Sequence, residues 1–245
     1  MSTNGAARGN YILEVEDLYV GYYRDLNILQ GVHMYAEKGK ITTILGANGV
    51  GKSTLLKAIF GFLRPNAGDI RLNGKSILDT PTHKRITLGL AYIPQHMSIF
   101  RWMSVEENIL LGGWTFRHDK ERLRRKLEEN FERFPILREK RKQPVGELSG
   151  GQQRMVELAR TLMTDPEVIL VDEPTAGLAK LLKREVYQML RDLRDNEGKT
   201  IVLVDQEIRH ALRIADYVYI LDLGRNKTEG PVEEIVADLK KAFWI

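Results

Sequence analysis

The spacing of apolar residues changes character twice along this chain. From Ile12 to Leu18 apolar and polar residues partly alternate, the period of a half-buried strand. Ile41–Leu45 is a short apolar run that stops at Gly46, a buried-strand signal, and KSTLLKAIFGF from Lys52 reads as a helix. Ile70–Leu72 followed by Asn73 and Gly74 predicts a hairpin turn. From about His96 to Met163 the pattern becomes helical. Leu123, Leu127, Phe131 and Phe134 recur at helical spacing among many charges, which predicts an amphipathic helix in a mostly helical lobe. After Pro166 strands and helices alternate: strand 168–171, helix 180–196, strand 201–204, a helix carrying Ala211 to Ala215, strand 217–221 and a closing helix 232–241. Such alternation implies a mostly parallel sheet covered on both faces. The expected fold is therefore α/β, with a mostly parallel sheet, an N-terminal antiparallel β portion and an inserted helical subdomain. Residues 11–245 are expected to form one domain, with 11–95 and 165–245 as the α/β core and 96–164 as the helical subdomain. Residues 1–10 are polar and rich in Gly and Ala and are expected to be a disordered tail.

Composition narrows the classes without choosing among them. The 245 residues are 43% hydrophobic and 29% charged, enough for one large domain with a sizeable core. The net charge of +4 is mildly basic and suits an anionic substrate, a nucleic acid or a membrane surface. Cysteine is absent, which excludes disulfides and thiolate metal sites and suits a reducing compartment. No apolar run approaches the roughly 20 residues that cross a bilayer. The opening stretch lacks the apolar centre of a signal peptide.

Chemistry enters with GANGVGKST at 46–54, which satisfies G-x-x-x-x-G-K-[ST] through Gly46, Gly51, Lys52 and Ser53. A strand precedes it and a helix follows, as phosphate binding requires. Asn48, Gly49, Val50 and Thr54 complete a loop whose amides can curl around phosphate oxygens at a helix N-terminus. Lys52 is expected to reach the β- and γ-phosphates of ATP, and Ser53 to ligate Mg²⁺. VILVDE at 168–173 delivers Asp172 and Glu173 to the C-terminal end of an apolar strand, where ligands bind in open α/β sheets. Asp172 is the candidate to hold Mg²⁺ through water, and Glu173 to polarise an attacking water. LSGGQ at 148–152 reads from its residues alone as a loop preceding a helix, with Ser149 as the cap.

The pentapeptide LSGGQ resembles the signature of ABC ATPases, and the likeness runs from about Tyr11 to Ile245. It implies that Ser149, Gly150, Gly151 and Gln152 bind the nucleotide of a second ATPase subunit, the two chains packing head to tail. It further implies that Gln95 contacts Mg²⁺ and senses the γ-phosphate, and that Tyr22, with Tyr23 as the alternative, stacks on adenine. Gln206, beside Asp205, stands at the switch that contacts the γ-phosphate. Two positions depart from the commoner pattern: Ala179 replaces an aspartate, and Gln206 replaces a histidine. Gln206 can donate a hydrogen bond but cannot carry a proton, and His210, four residues on, is read as an exposed helix residue. These departures imply an ATPase that is slow alone. The catalytic set is thus Glu173, Gln95, Gln206 and Lys52, and the metal set Ser53, Gln95 and Asp172. The histidines at 33, 83, 96, 118 and 210 show no ligand spacing, so no metal beyond Mg²⁺ is expected.

Within the family, KAIFGFLRP, SVEENILLGG, the glutamine switch and LGRN resemble the second, shorter ATPase of branched-chain amino acid importers. PQHMSIF also resembles the lipopolysaccharide-transport ATPase, and urea-importer ATPases are similar. The resemblance implies a peripheral protein on the cytoplasmic face of the membrane. Transmembrane permease subunits are expected to dock near residues 96–114, gripping Ile99, Phe100, Trp102 and Met103. A soluble ABC ATPase acting on DNA or ribosomes is the alternative of a different class. RLRRK and REKRK would permit it, but one cassette without a long heptad segment argues against it, and no nucleic acid is expected.

Overall fold

The computed structural model describes residues 10–23 and 26–243; of the tail expected over residues 1–10, all but Asn10 lies outside them. In chain order the elements begin with β1 (Tyr11–Val20), β2 (Leu29–Glu37), β3 (Ile41–Leu45) and α1 (Lys52–Phe60). Next come β4 (Ala67–Leu72), β5 (Lys75–Ser76), α2 (Thr82–Thr87) and β6 (Leu90–Ile93). Four helices follow: α3 (Val105–Leu111), α4 (Lys120–Arg133), α5 (Pro135–Glu139) and α6 (Gly150–Leu162). The chain then returns to alternation with β7 (Val168–Asp172), α7 (Lys180–Glu197), β8 (Thr200–Val204) and α8 (Ile208–Ala211). It closes with β9 (Tyr217–Asp222), β10 (Arg225–Pro231) and α9 (Val232–Phe243).

Two sheets result. The smaller is antiparallel, in the order β2-β1-β4-β5, and the larger runs β10-β9-β3-β8-β7-β6. Every neighbouring pair in the larger sheet is parallel except β9 with β10. β3, β7 and β8 are buried along their whole length, which explains their continuous apolar sequences. Successive side chains on these strands leave by opposite faces. Ile41, Ile169, Val171, Ile201 and Leu203 thus join the core beneath α6 and α7. Ile44, Val168, Leu170, Val202 and Val204 join a second core shared with α1 and the antiparallel sheet. The strand ends that carry candidate acids are therefore anchored from both sides.

Some boundaries differ from the sequence reading, each for a local reason. Phe134 lies beyond α4 with non-helical φ and ψ (−124° and 75°), because Pro135 disfavours the helical conformation in the residue before it. Ala211 is the last residue of α8, so Ala215 is not helical; it is buried against the core in the turn before β9. β10 carries RNKTEGP and has no apolar pattern to announce it. It pairs with β9 on one side, and on the other its polar side chains meet β2, where Asn226 bridges the His33 amide and carbonyl and Glu229 meets the His33 ring. The hairpin at Asn73 and Gly74 forms as expected, both residues having positive φ (50° and 72°).

Candidate functional site

The loop between β3 and α1 and the ends of β7 and β8 frame a groove of about 380 Å³. Gly51 closes the loop in the left-handed region (φ 106°), and a Cβ there would meet Leu29 at 2.5 Å, so only glycine fits. Helix α1 then starts at Lys52 with no side-chain cap, which leaves its first amides available to an anion. The Lys52 ammonium is buried at the groove floor and donates to the carbonyls of Gly46 and Ala47, both at 2.9 Å. Asn48, Gly49, Ser53 and Thr54 line the same groove, whereas Gly46 and Val50 lie outside its lining. Tyr22, half exposed, lines it as well, and its hydroxyl accepts from Lys57 at 3.3 Å. Tyr23 is 75% exposed and does not line the groove.

Behind the groove the Ser53 hydroxyl donates to Asp172 Oδ1 at 2.8 Å, and the Tyr92 hydroxyl donates to Asp172 Oδ2 at 3.0 Å. Glu173 follows with φ 42°, a left-handed conformation that costs a non-glycine residue about 1–3 kcal/mol. Its amide is held by the Val204 carbonyl at 2.9 Å. Gln95 Nε2 and Gln206 Nε2 both donate to Glu173 Oε2, each at 2.8 Å. Among the described residues nothing donates to the other oxygen, Oε1, which leaves it an acceptor for a further proton donor. Burial pushes the Glu173 carboxyl above the usual range; Lys52 pulls against this, while Asp172 and Asp205 reinforce it.

The signature residues lie elsewhere. Ser149 caps α6, its hydroxyl accepting from the Gln152 amide while Gln152 Oε1 accepts from the Ser149 amide. Gly150 and Gly151 open the helix against Leu178 and Leu182; a Cβ on Gly151 would meet Leu182 at 2.7 Å. None of Ser149, Gly150, Gly151 and Gln152 lines the groove of its own chain. Ala179 precedes α7 and supplies no side-chain cap. His210 is not the exposed residue expected: it is half-buried and stacks on Tyr187, with ring centres 5.3 Å apart and 12° between planes.

Several participants carry no sequence signal. Ile28 lines the groove but reads as one more apolar residue near a strand. Arg154 and Glu157 on α6, each 1% exposed, form a buried ion pair. Arg154 donates to the carbonyls of Pro94 and Gln95, both at 3.1 Å, and Glu157 accepts from the Ser98 amide at 2.8 Å. This pair ties the helix that begins at Ser149 to the loop that carries Gln95. Asn108 is buried and accepts from the Phe100 amide while donating to the Phe100 and Ser104 carbonyls. It fixes a loop from which Phe100 (55%) and Trp102 (95%) project into solvent. Ile99 and Met103 are partly buried.

A phosphate loop, two strand-end acids and a separate capped glycine loop define a nucleotide-hydrolysing α/β protein. The ABC transporter family matches residues 29–176, and the chain belongs to that family as an ATP-binding subunit with ATPase activity. The probable branched-chain amino acid transport ATP-binding protein LivF of Archaeoglobus fulgidus is 38% identical, covering 87% of this chain and 90% of its own length. BraG of Pseudomonas aeruginosa, a high-affinity branched-chain amino acid transport ATP-binding protein, is 37% identical over 83% and 86%. The lipopolysaccharide export protein LptB of Acidithiobacillus ferridurans is 34% identical over 93% of both chains. Among solved structures, a nucleotide-free ATP-binding cassette of an ABC transporter superposes with TM-score 0.82 at 30% identity, covering 94% of this chain and 95% of that one. The cbiO1 subunit from Clostridium perfringens gives TM-score 0.86 at 28% identity, over 95% and 93%. ABC cassettes bind ATP and work as dimers with membrane permeases. Among the described residues no helix is long and apolar enough to cross a membrane.

Proposed function

We propose that this chain powers a membrane importer by hydrolysing ATP held between its own phosphate loop and the signature loop of a second ATPase subunit. The observation that carries the reading is the convergence of Gln95 and Gln206 on one oxygen of Glu173, above a buried Lys52. The phosphates would sit on the amides that open α1, with Lys52 already drawn to the loop. Tyr22 offers its ring to adenine. Ser53 and Asp172 bring a hydroxyl and a carboxylate together, with Gln95 near by. Two or three hard oxygen donors suit Mg²⁺, which fills its remaining positions with water and phosphate. When bound, that ion neutralises charge on the transferred phosphoryl group. Glu173 Oε1 accepts the proton of the attacking water, and its raised carboxyl makes it a better base than an ordinary glutamate. The two glutamines hold it in place and carry no proton themselves.

Ser149, Gly150, Gly151 and Gln152 stand outside their own groove at the start of a helix, which supports service to the nucleotide of a partner packed head to tail. That partner is a second copy or a related ATPase. Phe100 and Trp102, held out by Asn108, supply the grip for permease subunits at residues 96–114 and bring the chain to the cytoplasmic face of the membrane. The names of two relatives support import of branched-chain amino acids. Uptake of radiolabelled leucine, isoleucine and valine tests the substrate. Deleting the gene should abolish uptake, and wild type but not Lys52→Ala should restore it. Undiminished uptake after deletion would refute the assignment.

A further inference from the structure

Tyr187 belongs to α7 and does not line the groove, yet it lies on a ring of hydrogen bonds and short backbone links that returns to Glu173. Its hydroxyl donates to Asp205 Oδ2 at 2.6 Å. Because that proton is committed, the Thr175 hydroxyl is the donor in the 3.3 Å contact with Tyr187. Thr175 stands two residues beyond Glu173. On the other side, Asp205 Oδ1 accepts from the backbone amides of Gln206 at 2.7 Å and Glu207 at 2.9 Å. Gln206 then reaches across to Glu173 at 2.8 Å. The ring thus runs from Glu173 through Thr175, Tyr187, Asp205 and Gln206 back to Glu173.

Every inner member of the ring is buried: Thr175 and Asp205 at 1% exposure and Tyr187 at 4%. Gln206 is the exposed member, and its backbone amide is held by Asp205. The His210 ring lies flat against Tyr187 and restricts its rotation. Burial pushes the Asp205 carboxyl up, while the Tyr187 hydroxyl and the two amides pull against it.

We infer that Tyr187 is a positioning residue for ATP hydrolysis: through Asp205 it presets the Gln206 turn so that the glutamine amide meets Glu173, and through Thr175 it holds the loop after Glu173 to the same point. The inference rests on Gln206 acting in hydrolysis, and the test separates the two ideas. Tyr187→Phe removes one oxygen and keeps the ring and its stack on His210. In the assembled transporter it should lower kcat on the order of tenfold and leave the KM for ATP unchanged, since the groove is untouched. In a Gln206→Ala background the same change should have a clearly smaller effect, because the arm through Gln206 is gone and only the Thr175 contact remains to be lost. A wild-type kcat for Tyr187→Phe, with Gln206→Ala impaired, overturns the positioning role and leaves Gln206 standing. Equal losses in both backgrounds overturn it too, and with a lowered melting temperature they reduce Tyr187 to a packing residue. A wild-type kcat for Gln206→Ala removes the reading of Gln206 itself, and the inference with it.

Discussion

Removing the guanidinium of Arg154 is the sharpest stability test of how α6 is joined to the Gln95 loop. In Arg154→Met the apolar stem is retained, but three things are lost: the pair with Glu157 and the bonds to the Pro94 and Gln95 carbonyls. Breaking one side of a buried ion pair costs about 3–5 kcal/mol, chiefly because the other charge stays buried. Glu157 keeps the Ser98 amide and hydroxyl, and Arg160 lies 4.0 Å away, so the lower half of that range applies. Two freed carbonyls add to the loss, and a total of about 4 kcal/mol results. At about 2–4 °C per kcal/mol for a domain of this size, the melting temperature should fall by about 8–16 °C. Adding Glu157→Gln removes the stranded charge while keeping an acceptor for Ser98. The double variant should therefore regain at least half of the loss. Thermal unfolding followed by circular dichroism reads both. The reasoning is refuted if the single variant melts within a degree or two of wild type, or if the double variant is as unstable as the two single losses summed.

The raised Glu173 carboxyl predicts the acid limb of the pH–rate profile. Activity needs the deprotonated form, so it should fall as pH drops through a value above the ordinary glutamate value of about 4.3. The same shift acts oppositely on stability: a folded state that holds this proton more tightly is favoured below the unfolded value, and that contribution is lost as pH rises through the folded one. An acid limb at or below the ordinary value would contradict this. Gln206→His keeps a donor facing Glu173 and should preserve or raise ATPase activity; a collapse would show that the site is built around glutamine. Trp102→Asp places a charge on the most exposed large apolar side chain among the described residues and should abolish co-purification with the permease subunits while ATP affinity is retained. Intact assembly would move the docking site elsewhere.

The parts of the site that form from contiguous residues were legible in the sequence: a loop that binds phosphate through its backbone must declare its glycines, as Gly51 does. The parallel strands declared themselves through unbroken apolar runs, since β3, β7 and β8 are buried on both faces. Side chains that act by convergence were not legible. Gln95, Glu173 and Gln206 could be picked out by resemblance, but their meeting at one oxygen depends on strand order. Tyr187, Arg154 and Glu157 sit on amphipathic helices where a polar residue facing inward cannot be told from its neighbours until the inner face is known. Asn108 is hidden for the same reason. Short strands were missed where pairing came without pattern: β6 has four residues, and β10 is polar because Asn226 and Glu229 hydrogen-bond to His33 on β2 rather than entering an apolar core.

The central claim is that Glu173 hydrolyses an ATP held over Lys52. The direct measurement is ATP affinity and single-turnover hydrolysis on the same Glu173→Gln protein, assembled with its membrane subunits. The account predicts wild-type affinity and a turnover at least a hundredfold lower, on the scale by which general-base removal slows enzymes. Turnover within a few-fold of wild type, with ATP bound as tightly, would contradict it.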